Sequence, residues 1–564
     1  MLLKKLSDYS ERLDMPPSMY VKTRIKWFID LSADGTFKGL TRLVGTQNKN
    51  DRGREFLAPN IVRTVAISPK LLADTGEYVL GIARENSDPL RVAEAHRSFK
   101  ELTESCARQT EEPSVRAAVR FLERWNPRDA SFPDDFDPGD VITFRVDEIV
   151  PIELPKVRAF WARYTSQLTE EGKQTMQCLI CGDRKPVEER QPMKVKGVPG
   201  GQTSGLAFIS ANNDAFESYF LKASLTAPTC RDCSERFSQA ANALIADENT
   251  RLYIGPIVYI FWTREPTDFS PISFLRQPQP AEVKTLLESA WKGSAQKGID
   301  PNSFYATAFS ASGGRLVVRD WIETTVEEVR RNLATWFIAQ KLVDPWGQEG
   351  EPIPLYDLAA SLYRDANKDM VANVPQTLLR TALYGTPLPD WLLYQAVRRN
   401  RDEQNITWRR MALIKMVLLS QQDNIERKSA KMEQLDSANR EPAYLCGRLL
   451  AELEAIQRAA IPKAKTTIID RYFGTASSAP ATVFGHLLSK SQAHLSKLRK
   501  EREGTYYGLQ SKLEEIMKDL STFPATLNLK EQAIFSLGYY HQRAEDRAAA
   551  ASRKQANETQ NKNE

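Results

Sequence analysis

Val343-Asp344-Pro345-Trp346-Gly347-Gln348-Glu349-Gly350-Glu351-Pro352-Ile353-Pro354 divides the chain into two kinds of sequence. Its prolines and glycines break any regular element. Ahead of it, residues 61–67, 78–82, 141–146, 253–262 and 315–321 are rich in β-branched and aromatic side chains, the composition of strands mixed among helices. Behind it, strand signals nearly vanish and apolar residues recur at helical spacing.

Three helical stripes are clear: Leu445, Leu449, Leu453 and Ile456; Phe484, Leu487, Leu488, Ser491, Leu495 and Leu498; Leu509, Leu513, Ile516, Met517 and Leu520. A fourth helix is expected after Pro524, with Asn528 as N-cap and Glu531 closing a capping-box variant. The expected fold is an α+β N-terminal region with a zinc-ribbon-like four-cysteine insertion, followed by an all-α C-terminal region ending in a helical bundle. The expected divisions are 1–345, containing the insertion at 172–240; a helical connector at 346–430; a bundle at 431–547; and a disordered tail at 548–564, where Ala, Lys, Asn, Gln and Glu carry no apolar stripe.

At 564 residues the chain is long enough for several cores, and its composition, 41% hydrophobic and 26% charged, is that of a soluble globular protein. The longest apolar run, residues 254–262, is a strand rather than a bilayer span, and the N-terminus turns polar at Lys4 and Lys5, with no signal-peptide core. The expected location is cytoplasmic, without a membrane partner. A net charge of +5 means that a polyanion must be met by local basic clusters.

Four of the six cysteines form two CxxC pairs, Cys178/Cys181 and Cys230/Cys233. Each CxxC turn points two thiolates at one centre, and four such ligands close a tetrahedral site, for which Zn2+ is the natural occupant. With every position taken by protein sulfur, the site is structural. Four reduced thiols or a redox pair is the alternative. Cys106 and Cys446 stand alone and are expected to be small buried apolar residues. The glycine-rich basic loop at 194–205 lacks the GK[ST] ending of a P-loop and reads equally as a structural turn.

Candidate nucleic-acid contacts come from basic clusters. Lys49, Asn50, Arg52 and Arg54 lie in a polar loop between strand-like runs, where cations track phosphates and amides read base edges. Arg409, Arg410, Lys490, Lys497, Arg499 and Lys500 lie in the helical region and suit backbone contact independent of sequence. No catalytic residue is expected. The four histidines, His96, His486, His494 and His541, form no metal-binding pair, and Asp134 and Asp135 no convincing acid/base pair.

Ile469-Asp470-Arg471-Tyr472-Phe473-Gly474-Thr475-Ala476-Ser477, then His494-Leu495-Ser496-Lys497-Leu498 and Leu537-Gly538-Tyr539-Tyr540-His541-Gln542-Arg543, resemble the type I-C CRISPR large subunit, the Csd-type member of the Cas-eight group. Leu383-Tyr384-Gly385-Thr386-Pro387-Leu388-Pro389, Phe216-Glu217-Ser218-Tyr219 and Lys70-Leu71-Leu72-Ala73-Asp74 extend the resemblance, in order, over nearly the whole chain. The resemblance implies a non-catalytic subunit of a guide-RNA-loaded Cascade complex. Such a subunit recognises the PAM in duplex DNA, assists unwinding and R-loop formation, holds the displaced single strand and helps recruit the helicase-nuclease. The implied partners are the repeated backbone subunit, the guide-processing subunit and the small subunit, the last resembled by the C-terminal bundle, for which Met432 is a possible internal start. Base pairing then reads the target, while protein reads the PAM and the backbone. A stand-alone metal-dependent nuclease and a zinc-ribbon DNA-binding regulator are the competing readings.

Overall fold

Trp27–Leu31 (β2) is the centre of the first sheet, and its near-continuous burial marks a strand covered on both faces. The computed structural model describes all residues except 14–18, 46–50, 62, 64–66, 127–131, 171–173, 212, 294–301, 421, 423 and 564. Two compact units emerge, Met1–Ala243 with Ala311–Val317, and Leu244–Ser310 with Val318–Glu564.

In the first unit, Tyr20–Ile25 (β1) pairs antiparallel with Arg54–Pro59 (β4). A four-stranded sheet has the order β3-β2-β6-β5, where β3 is Phe37–Arg42, β5 Ala73–Thr75 and β6 Val141–Val146. The β2/β6 pair is parallel and its neighbours are antiparallel. Helices Pro89–Thr110 and Pro113–Arg124 both open with proline, which fits a first turn because its missing N–H has no intrahelical acceptor there. Phe99, Leu102, Phe121, Phe144 and Trp161 join Trp27 and Ile29 in one core.

The second unit holds a sheet ordered β12-β11-β10-β9: Arg251–Ile254 (β9), Ile257–Thr263 (β10), Ser303–Ser312 (β11) and Arg315–Thr325 (β12). The expected strand 253–262 is therefore a hairpin, broken at Gly255, whose φ of +56° suits a residue without a Cβ. The tip of the β11/β12 hairpin belongs to the first unit, where Leu316 donates its N–H to the Ala207 carbonyl (3.0 Å).

The run at 78–82 has the composition of a strand; instead Gly76–Val79 is one helical turn, held by bonds from the amides of Gly76 and Glu77 to the carbonyls of Asp140 and Pro138. A short apolar run does not distinguish a strand from a buried turn. The 61–67 run includes residues outside those described, and its described members carry no strand.

The compact units do not divide near residue 345 as expected. Leu252, Tyr259, Phe261 and Phe304 share a single core with Leu378, Leu392 and Leu413, so the second sheet packs with the helices that follow it. Helical periodicity reports where strands stop, not which core a strand joins.

Beyond that core, Pro442–Ala460 is the hub of the bundle, buried along nearly its whole length against Phe484–Glu501, Glu503–Lys518 and Leu529–Asn563. It closes on Leu529–Asn563 at Gly447 and Gly538: a Cβ on either would strike a backbone carbonyl of the other helix. The Asn528–Glu531 capping box forms as read from the sequence, with both reciprocal bonds present (2.7 and 3.0 Å). The tail at 548–563 is helical rather than disordered, because its Ala, Lys, Gln and Glu residues have high helix propensity and simply extend a helix already nucleated by packing. Among the described residues, no helix is long and apolar enough to cross a membrane.

Candidate metal centre and nucleic-acid contacts

The hairpin Thr175–Gln177 (β7) and Arg184–Pro186 (β8) carries the first CxxC at its turn. The amide of Gly182 donates to the Cys178 carbonyl (2.9 Å) and that of Cys178 to the Asp183 carbonyl (2.9 Å). Gly182 adopts φ +80°, the left-handed conformation that lets the knuckle turn back on itself. The second pair lies at the start of helix Arg231–Ala246. Bonds from Leu179 N–H to the Pro228 carbonyl (2.9 Å) and from Glu188 N–H to the Thr229 carbonyl (3.0 Å) bring it against the hairpin.

All four Sγ atoms thus lie within 4.8 Å of one another, close to the ~3.8 Å separation of thiolates bound tetrahedrally at ~2.3 Å. The amides of Ile180 and Cys230 both point at the Cys178 sulfur (3.4 Å each), the bonding a thiolate accepts. Hydrogen bonding from Cys233, and then from the other two thiols, favours the thiolate of Cys230, while the same bond holds Cys233 in its thiol form. This donor set fits a structural metal. Cys178, Cys181, Cys230 and Cys233 would hold it, and it would lock the hairpin to the helix. Arg231, against the buried carboxylate of Glu188 (3.1 Å), ties the same helix to the segment after β8.

Cys106 and Cys446 are fully buried, and desolvation pushes both thiols up to about 12, as expected of inert core residues. In the 194–205 loop Val195 and Leu206 exchange backbone bonds (2.8 Å), and Asn242 bonds the Lys194 carbonyl and the Lys196 amide, which fixes the loop's base against helix Arg231–Ala246.

Of the polar N-terminal loop, Lys49 and Asn50 lie outside the described residues. Arg52 and Arg54 are exposed. The loop's base is closed by Asp51, whose carboxylate accepts from the amides of Gly45 (3.1 Å) and Gly53 (3.2 Å). A Cβ on Gly53, at φ +91°, would run into the Ile25 carbonyl, so glycine is required there.

In the helical region, Lys490, Lys497, Arg499 and Lys500 are all exposed on Phe484–Glu501. Lys490 and Lys497, two turns apart, share a face; Lys497 also bonds the Ala460 carbonyl (2.9 Å), and Arg499 lies 6.0 Å from the Tyr506 ring centroid. Arg409, on Trp408–Ser420, pairs with Asp357 (3.0 Å).

Arg410 departs from its expected role as a backbone contact. It is only 3% exposed, and its guanidinium is taken up by the Ser361 and Asn405 carbonyls, Asn400 and Glu403. Adjacent arginines on a helix point about 100° apart, so one of them faces the core.

A recess of about 240 Å³ is lined by Arg471, Tyr472, Lys490 and His494 over a floor of Leu453 and Leu487. Sequence reasoning picks out only Lys490 there as a nucleic-acid contact, because Arg471 stands alone in sequence and joins it through tertiary packing.

A family model described as CRISPR-associated protein (Cas_Csd1) matches residues 5–546. No curated protein matches the chain at a significant level.

Proposed function

The chain belongs to the Cas_Csd1 family of CRISPR-associated proteins, and from that premise we propose that it is the large subunit of a type I-C Cascade complex. The observation that carries this reading is a family match running from residue 5 to residue 546, across both compact units.

In this reading the protein recognises the PAM in duplex DNA, assists unwinding and R-loop formation, stabilises the displaced strand and helps recruit the helicase-nuclease, which does the cutting. Lys49, Asn50, Arg52 and Arg54 read the PAM duplex; the exposure of Arg52 and Arg54 on a loop pinned by Asp51 supports this. Lys490, Lys497, Arg499, Lys500 and Arg409 track phosphates, and the exposed row on Phe484–Glu501 supports that role. Bound Zn2+ at the four cysteines is structural. The buried carboxylates Glu452 and Glu454 read as structural too, being bonded to Gln542 (2.8 Å) and Tyr539 (2.6 Å) respectively. The partners are the guide-RNA-bearing backbone, guide-processing and small subunits, in the cytoplasm.

Affinity purification from the native host, with identification of co-purifying protein and RNA, tests this directly. The expected result is a repeated backbone subunit with a short guide RNA. Recovery of the protein alone, free of RNA, would overturn the complex reading.

A further inference from the structure

The two stretches that carry the strongest resemblance, residues 469–477 and 537–543, converge on a cavity of about 530 Å³ that the nucleic-acid assignments above leave unused. Arg458, Lys465, Arg543 and Arg547 line it, along with Trp408 and Tyr539.

Its charges do not balance. The buried Glu454 carboxylate is shared by Arg458 (2.7 Å), Arg543 and the Tyr539 hydroxyl (2.6 Å). Asp470 is engaged in capping, accepting from the Thr467 amide (2.6 Å). Arg547 forms no ion pair at contact distance among the described residues, the Glu454 charge reaching it only at longer range: it donates to the Pro345 carbonyl (3.2 Å) and lies 5.5 Å from the Trp346 ring centroid. It stands one turn from Arg543, a like-charge spacing that is unfavourable on a helix. Burial and the Arg543 charge together disfavour its protonated form. Lys465, exposed at the rim, also lacks an ion-pair partner among the described residues.

Guanidinium groups around a polar recess match a tetrahedral oxyanion, which accepts their paired N–H groups. We infer that the cavity lined by Arg458, Lys465, Arg543 and Arg547 binds a phosphate group. A nucleic-acid strand crossing the bundle supplies it if the nucleic-acid-binding reading above holds, and a free phosphate or mononucleotide is the other source.

The test uses the full-length chain, a fluorescein-labelled dT20 strand, and Kd measured from 50 to 300 mM NaCl. Arg547→Gln and the exposed Lys465→Gln should each reduce the salt slope by about 0.7 and weaken binding several-fold. Lys284→Gln, an exposed control, should leave both unchanged. Because Lys465 is exposed, its variant reports even if Arg547→Gln misfolds. Tight strand binding by the parent with unchanged slopes in both variants would overturn the site and leave the nucleic-acid reading standing. If the parent does not bind the strand, thermal shifts with inorganic phosphate and with dTMP decide the source. A shift present in the parent and lost in the variants supports a free-phosphate site, and no shift overturns the inference altogether.

Discussion

Gly447 and Gly538 sit on the facing sides of two helices that cross so closely that neither has room for a methyl group. An added Cβ would strike the Phe535 carbonyl from one side and the Tyr444 carbonyl from the other. Alanine improves helix propensity by about 1 kcal/mol, but overpacking costs more. Gly447→Ala and Gly538→Ala should each lose about 2 kcal/mol or more in urea unfolding, with a lowered midpoint. Unchanged midpoints would mean that the helices cross less tightly than this.

His541 sets an acid limit to stability. It is buried, bonded through Nδ1 to the Tyr444 hydroxyl (2.9 Å), and desolvation together with Lys415 pulls it down to about 3. Between that value and its ordinary ~6.5, the unfolded chain binds the extra proton, so stability is present above ~6.5 and lost as pH falls. From about pH 6.5 to about pH 5 the contribution is about 2 kcal/mol. The parent should lose that much more than His541→Asn over this interval, read from denaturant curves at each pH.

Glu452 works in the opposite sense. Burial first, then the neighbouring Asp546, pushes its carboxyl up to about 8. The folded chain therefore holds a proton that the unfolded chain releases above ~4.5, and stability is lost as pH rises through about 8. Glu452→Gln should flatten the decline between about pH 6.5 and about pH 8, worth about 2 kcal/mol. An identical decline in the variant would assign it elsewhere.

Elemental analysis should find one zinc per chain. Cys178→Ser with Cys230→Ser should abolish it, and loss of the metal, by mutation or by a strong chelator, should lower the thermal transition by about 5 °C or more. Metal-free protein that melts with the parent would remove the structural role.

In the assembled complex, Arg52→Ala and Arg54→Ala should weaken binding to PAM-bearing duplex about tenfold and relax discrimination among PAM variants. A uniform loss across all duplexes would make these arginines phosphate contacts instead.

Much of this is legible in the sequence, where the signal is local. The stripe through Leu445, Leu449 and Leu453 marks the bundle hub, Asn528 and Glu531 mark a helix start, and two CxxC spacings mark the sulfur cluster. Signals fail where meaning depends on distant packing. Arg409 and Arg410 look alike until the core claims one of them, and residues 78–82 read as a strand until the turn ahead of them meets Asp140 and Pro138. The cleft around Arg547 draws on Arg458, Lys465 and Arg543, which no sequence window contains together.

The β11/β12 hairpin tip, counted with the first unit while its stem belongs to the second, has an evolutionary consequence. Neither unit corresponds to one uninterrupted stretch of coding sequence. A single recombination crossover at the Ala243/Leu244 boundary would take the segment Ala311–Val317, whose Leu316 amide bonds the Ala207 carbonyl, from the other parent, so the gene should diversify by substitution in place more readily than by exchange of whole modules.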